Sequence, residues 1–325
     1  MIIWHGLAEV DPSFGDSVVT IGVFDGVHRG HQRLINTATQ IAEESGLPSI
    51  MVTFDPHPKA VFAPEAMPPM LTSMAERERL AAELGVDAML IIDFTRELAG
   101  MSAQDYFDEM LARALQARHI VVGENFTFGA GGKGTAATMR ELGAAAGVEV
   151  SVVELLRDDD ELICSTNIRT ALSHGEISRA NWALGREYAL TSEVVRGAGR
   201  GGRELGYPTA NQYFPENIAV PGDGVYAGWF LVEDSPKQIE GDMHPGVVYP
   251  AAISVGTNPT FGDERRSVES FVIDQHADLY DHVATVFFVG KVRDMVKFDS
   301  VEELLEAMAT DVETTKQILL DAARP

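Results

Sequence analysis

The sequence has one cysteine, Cys164. A single thiol forms neither an internal disulfide nor a cysteine-based zinc site; that usage fits a reducing compartment, and a cytoplasmic location is expected. Basic residues are also scarce, 25 against 49 acidic ones, giving a formal net charge of -24. A field of that sign repels nucleic acid, so no nucleic-acid partner is expected. It repels free ATP as well. Phosphate chemistry in this chain would need local remedies: backbone N–H groups, a few basic side chains, and a magnesium ion carried in with the phosphates. No stretch of about 20 apolar residues occurs, so neither a spanning helix nor a membrane partner is expected. The first residues, MIIWHGLAEVDPS, lack a basic start and a long apolar run, and do not read as a secretory signal. There is no internal repeat and no long low-complexity segment.

What is present is a chain of 325 residues, 45% hydrophobic and 23% charged. At roughly 100–200 residues per domain, it can form two ordinary domains. The first 150 positions alternate between two patterns. Val18–Val23, Ser49–Phe54, Ala88–Asp93, His119–Val122 and Glu149–Leu155 read as strands. Gln32–Glu44, Ala75–Leu84, Ala103–Gln116 and Thr135–Ala146 carry apolar residues at helical spacing. Such alternation implies parallel pairing and an open α/β sheet, with ligands outside the carboxyl ends of the strands. After about Gly185 the character changes. Tyr188–Val195, Gly224–Leu231, Val248–Val255, Val268–Ile273 and Ala284–Val289 follow with no helical pattern between them. They read as antiparallel strands of a sandwich or small barrel, closed by a helix over Ser300–Leu320. Asn167–Leu184 looks helical, and Arg157–Glu161 reads as a solvated turn.

The string GVFDGVHRGH, Gly22–His31, follows a strand and opens a helix. Glycines there let the backbone approach a ligand, and free N–H groups at a helix start favour anions. His28 and His31, three residues apart, can both face one phosphate and donate hydrogen bonds to developing charge. Gly22, Phe24, Asp25, Gly26 and Gly30 complete this candidate ATP site. The plain alternative is a strand–helix turn with incidental histidines. Asn125 and Thr127 follow another strand end, on the ligand side. Ser165 and Thr166 begin a helix with Arg169 one turn on, an arrangement that suits triphosphate oxygens or is an ordinary N-cap.

In the second half, residues 196–211 read RGAGRGGRELGYPTAN. Gly197, Gly199 and Gly202 match G-x-G-x-x-G, but Pro208 follows soon after and no helix begins, which excludes the dinucleotide reading. A basic glycine loop closing over phosphates, with Arg203 among its cations, fits better. No P-loop exists either, since Lys133 is followed by glycine. Glu269 shares a strand face with Phe271 and Ile273 by period two. A carboxylate on such a face calls for a reason, either chemistry or an ion pair.

HxGH resembles the signature of α/β-phosphodiesterase-forming nucleotidyltransferases. The longer GVFDGVHRGHQ is similar to the N-terminal module of bacterial bifunctional riboflavin kinase/FAD synthetases. The resemblance continues through VTFDPHP at 52–58, VGENFTFG at 122–129, STNIR at 165–169, GYPTAN at 206–211 and GTNPTFG at 256–262, and so covers nearly the whole chain. It implies a Rossmann-like nucleotidyltransferase domain with a parallel sheet over 1–186. It also implies a riboflavin kinase-like antiparallel β-barrel with a terminal helix over 187–325. The implied reactions are phosphorylation of riboflavin to FMN by ATP, then adenylylation of FMN to FAD with release of pyrophosphate. The implied catalytic residues are His28, His31, Arg169 and Glu269, the last as general base for the riboflavin 5′-hydroxyl.

Asn125 and Thr127 would contact nucleotide or flavin. Thr209 and Asn211 would hold Mg²⁺ and, with Pro208 and the glycine loop, the kinase ATP. Arg293 and Phe298 would touch the flavin ring. Many members have aspartate where Asn125 stands and serine where Cys164 stands, which removes a charge and a hydroxyl here. ATP, riboflavin and FMN are the expected small-molecule partners, and a homo-oligomer is left open. Two other readings remain: a member with one activity, or a non-catalytic flavin- or nucleotide-binding regulator. A nucleotidyltransferase for another acceptor would leave the second half unexplained.

Overall fold

In the computed structural model, residues 1–196, 207–235, 237–258 and 263–325 are described, and the chain divides into the units Met1–Ser165 and Thr166–Pro325. The first unit is built on strands β1 (Ile2–His5), β2 (Ser17–Ile21), β3 (Ser49–Phe54), β4 (Ala88–Ile92), β5 (Ala117–Gly123) and β6 (Glu149–Val153). All pair in parallel, in the order β1-β4-β3-β2-β5-β6. Every residue of β2, β3 and β4 is buried, as expected for a parallel sheet covered on both faces. Period two divides the core. Val19, Ile21, Ile50 and Val52 pack with Phe107 and Met110; Val18, Met51 and Met89 pack with Leu34, Ile35 and Leu80.

The expected α/β sheet is therefore present, and β3 has the expected bounds. Strand β1 was not among the expected strands. Helix α1 runs Arg29–Ser45, starting three residues earlier than its apolar spacing suggests because His28 caps it. Helix α2 is Met74–Glu83 and α3 is Ala136–Ala146. The segment expected as one helix from Ala103 has a short α-helical start, Ala103–Asp105, and then wide π-helical turns over Tyr106–Ala114. The chain leaves β2 towards β3 and β4 on one side, then returns to β5 and β6 on the other. The switch point lies between β2 and β5, the crevice where such sheets bind ligands.

Helix α4 (Ser165–Ser173) begins at the last residue of the first unit, and α5 (Ile177–Leu184) follows in the second. There β7 (Tyr188–Glu193), β8 (Ala210–Gln212), β9 (Gly224–Val232), β10 (Val248–Asn258), β11 (Asp263–Val272) and β12 (Val283–Arg293) form one antiparallel sheet, ordered β7-β12-β9-β10-β11-β8. Its two edges meet. Val195, just past β7, bridges to Asn211 of β8, and Gln212 Nε2 donates to Ser192 O at 2.8 Å and to Ala284 O at 2.8 Å. This is the expected barrel, closed at a narrow seam. The terminal helix α6 (Val301–Leu320) packs on β9, β10 and β12, with Ser300 as its N-cap. Helices α4 and α5 are tied to the barrel by Gly222 N–H to Leu172 O at 2.8 Å and Asn181 Nδ2 to Phe288 O at 2.7 Å.

Candidate functional site

The loop after β2 bends sharply. Phe24 and Val27 have φ of 53° and 38°, values in the left-handed region that a β-branched valine rarely adopts. Both side chains are fully buried, which holds the bend. Asp25, 2% exposed, accepts from Leu71 N at 2.9 Å and from Thr72 N at 3.2 Å. Gly26 N–H donates to Thr72 Oγ1 at 3.0 Å, Gln32 Nε2 to Val27 O at 2.8 Å, and Ser165 Oγ to Asp25 O at 2.9 Å. The Asp25 carboxylate is thus engaged in fixing the loop, and Ser165 touches the loop backbone directly.

His28 ends the bend and caps α1, its Nδ1 accepting from His31 N at 3.3 Å. The two imidazoles stack with centroids 3.6 Å apart and planes at 18°. Gly30 makes this geometry possible. A Cβ there would lie 3.1 Å from His28 Cε1 and 3.4 Å from Ile163 O. Burial holds the His31 imidazole well below its ordinary pKa range, and the charges of His28 and Arg77 push the same way. His31 is therefore neutral near pH 7, and its enclosed Nδ1 has no partner among the described residues. Arg29 is bound at 3.0 Å to Asp158, in the hairpin formed by Arg157–Asp158 and Glu161–Leu162.

Across the switch point, Asn125 and Thr127 are exposed in the loop after β5. Beside them Phe126 and Phe128 stack at 5.6 Å, and Tyr106 lies 5.6 Å from Phe128. The Tyr106 hydroxyl is enclosed without a described partner, and burial raises its pKa. Thr166 and Arg169 stand on α4 within the second unit, Thr166 exposed and Arg169 half-buried. His57 caps the short helix Pro58–Phe62, Nδ1 accepting from Lys59 N at 3.0 Å.

In the second unit, Gly197, Gly199, Gly202 and Arg203 lie outside the described residues. The strings flanking them do not. The register places Asn211 directly opposite Glu269, and Ser254 opposite Glu269 on the other side. Glu269 is half-buried and accepts from Ser267 Oγ at 3.0 Å. Its face is thus the less buried one and carries polar neighbours on both adjoining strands. Asn211 Nδ2 donates to Thr209 O at 3.1 Å and lies 3.4 Å from Thr209 Oγ1. Tyr207 packs on Phe271, centroids 4.9 Å apart, holding the segment against β11. On the opposite face a cavity of about 290 Å³ is lined by Val194, Pro208, Thr209, Ala210, Leu279 and Tyr280. Ser270 lines it too, its buried Oγ without a partner among the described residues.

Arg293 and Phe298 do come together, the guanidinium 5.5 Å from the ring centroid. Arg293 Nε and Nη2 donate to buried Asp311 on α6 at 2.8 and 2.7 Å, and Nη1 donates to Asp294 O at 3.0 Å. Near them Met295, exposed, lies 3.9 Å from Ser254 Oγ.

No group of three or more His, Cys, Asp or Glu suited to a metal occurs among the described residues. Thr209 and Asn211, with Asn211 Nδ2 3.4 Å from Thr209 Oγ1, carry neutral side-chain oxygens instead. Such a set fits Mg²⁺, which keeps several waters and takes further oxygens from phosphates.

Sequence reasoning missed Arg77, Thr72 and the aromatic wall of Tyr106 and Phe128. Arg77 had a local signal. It occupies a position in the apolar stripe of α2, beside Leu80 and Ala81, where a cation is out of place.

Comparisons with known proteins agree on both halves. Residues 11–167 match the family model described as FAD synthetase, and residues 184–319 match the one described as riboflavin kinase. A bifunctional riboflavin kinase/FMN adenylyltransferase from Listeria monocytogenes is 34% identical over 303 residues, covering 93% of this chain and 92% of that protein. One from Pseudomonas fluorescens is 34% identical over 324 residues, covering 99% of each. A crystal structure from Streptococcus pneumoniae, described as a macrolide-efflux protein, superposes with a TM-score of 0.84 at 33% identity, covering 97% of this chain and 99% of that one. No described helix is long and apolar enough to cross a membrane.

Proposed function

The chain belongs to the bifunctional riboflavin kinase/FMN adenylyltransferase family, and on that premise we propose how its residues divide the two reactions. The protein phosphorylates riboflavin to FMN and adenylylates FMN to FAD, with ATP as donor in both steps. We assign the adenylyltransferase to residues 1–186 and the kinase to 187–325. The observation that carries the assignment is that each matched half has its own phosphate-handling constellation: the stacked His28–His31 pair in one, the Asn211–Glu269 cross-strand pair in the other.

In the kinase half, the 5′-hydroxyl of riboflavin attacks the γ-phosphorus of ATP. The new O–P bond forms as the bond to ADP breaks, and the hydroxyl proton passes to the Glu269 carboxylate. Thr209 and Asn211 would hold Mg²⁺, which when bound neutralises charge on the triphosphate. The cavity beside Pro208, with Ser270 as a polar handle, suits the ATP base. Met295 reaches Ser254, the register partner of Glu269, and with Phe298, which Arg293 holds while bonded to Asp311, it suits the flavin ring.

In the adenylyltransferase half, a phosphate oxygen of FMN attacks the α-phosphorus of ATP and pyrophosphate leaves. The nucleophile is already an anion, so no base is required. Gly22, Phe24, Gly26 and Gly30 shape the turn that receives the phosphates. Neutral His31 and its stacked partner His28, at the start of α1, donate to the developing charge, and we assign Ser165, Thr166 and Arg169 to the triphosphate oxygens. Asn125, Thr127 and the aromatic wall of Tyr106, Phe126 and Phe128 suit the flavin of FMN. The enzyme works on small molecules in the cytoplasm.

Incubation with riboflavin, ATP and MgCl₂, followed by chromatography of the flavins, tests the whole reading. FMN should appear first and FAD after it; formation of neither overturns it.

A further inference from the structure

Arg77 is a buried cation that the two constellations above leave without a task. It is 4% exposed on α2. Its Nη1 donates to Val23 O at 3.1 Å and lies 3.4 Å from Thr53 Oγ1, and Thr53 Oγ1 donates to the same carbonyl at 3.0 Å. Its Nε is enclosed and has no partner among the described residues. Removing a guanidinium from water while leaving one of its donors unmade costs stability, and an apolar side chain of similar length would often be as stable or more so. Burial depresses the guanidinium pKa, with Asp25 and Asp55 opposing, and an arginine so placed still keeps its proton.

The position of this charge is what distinguishes it. Val23 is the residue before the bend whose strained positions are Phe24 and Val27, on the way to His28. The loop is tied to the 71–77 segment at two levels, by Asp25 to the Leu71 and Thr72 amides and by Val23 to Arg77. The same positive charge reaches His31, where it opposes protonation of an imidazole whose Nδ1 is also enclosed and unmatched.

We propose that Arg77 is a positioning residue for adenylyl transfer: it fixes the Gly22–His28 turn through Val23 and places a permanent positive charge behind the α-phosphoryl position. The proposal rests on the reading of the His28–His31 site as the FMN adenylyltransferase centre. A fixed cation in water-poor surroundings stabilises charge that grows on the leaving pyrophosphate without any side chain having to reorganise. An interaction of that kind appears in kcat more than in KM.

The test uses the full chain with Arg77→Met and Arg77→Lys, beside the native enzyme and His28→Ala. With Arg77→Met, kcat for adenylylation of supplied FMN should fall by about 30-fold, while KM for ATP and FMN moves by less than about threefold. Riboflavin phosphorylation should stay at the native rate, and the thermal transition should not fall. Arg77→Lys, which keeps the charge and one donor, should recover activity to within about fivefold of native. Native kcat in the methionine variant would overturn the proposal. So would equal losses in both variants, or a loss that merely follows a lowered thermal transition, since either would make Arg77 a packing requirement. Absence of FAD formation by the native enzyme, or its persistence in His28→Ala, would instead overturn the reading of the site on which the proposal stands.

Discussion

The two halves handle the same donor with opposite equipment. On the proposed assignment, the first would receive phosphates at the switch point of a parallel sheet, beside a helix start and a neutral imidazole, with Asp25 anchoring the loop. The second would rely on side chains set across an antiparallel pair, with the Glu269 carboxylate at its centre. The nucleophiles explain the contrast. A hydroxyl must lose a proton to attack phosphorus and needs a base; the phosphate of FMN does not, and a carboxylate beside it would only repel it. Each half is therefore matched to its acceptor more than to ATP.

The comparison is broken most easily at its centres. Glu269→Gln should lower riboflavin phosphorylation by about 10³-fold, the range of a lost general base, while conversion of supplied FMN to FAD stays within about twofold. His28→Ala should do the reverse, costing about 10²-fold in adenylylation with phosphorylation intact. Steady-state assays of each step on the same preparations check both. Loss of both steps in a folded single variant would show that the halves do not work separately.

A smaller effect is expected at Gly30. A methyl group there presses on the His28 ring at 3.1 Å, so Gly30→Ala should slow adenylylation by about tenfold and leave phosphorylation unchanged. The smallest concerns pH. Because the fold depresses the His31 pKa, the unfolded chain takes up the proton first as pH falls. The stability this group contributes is complete above its unfolded pKa, about 6.5, and is lost below it at up to about 1.4 kcal/mol per pH unit. Urea unfolding of the native chain and His31→Gln should therefore diverge in slope between about pH 7 and pH 5, the native chain losing more. Parallel slopes would mean His31 is not held neutral by the fold.

Much of this arrangement was legible in residues alone. The run Ser49–Phe54 is a strand with those bounds, and the Gly22–His31 string does join a strand to a helix. What is local in sequence, such as apolar period, a capping Ser300 or a proline turn, can be read locally. Strand β1 escaped because four edge residues, mostly exposed or half-buried, carry little pattern. The pairing of Asn211 with Glu269 escaped because it joins positions 58 residues apart. The alternation at Glu269 gave the correct face but not its neighbours. Arg293 could be placed near Phe298, yet its commitment to Asp311 depends on where α6 packs.

The seam of the barrel has a consequence for behaviour in concentrated solution. Strands β7 and β8 would each offer an open row of peptide groups to another chain if the sheet were flat, the usual route to polymerisation by strand addition. Here the Val195 amide donates to Asn211 O at 2.9 Å, and Gln212 covers Ser192 O and Ala284 O. So short a closure makes solubility depend on very few groups. Proline at 195, which removes that donor, should turn a dispersed protein into one that associates edge to edge, even against the mutual repulsion of a net charge of -24.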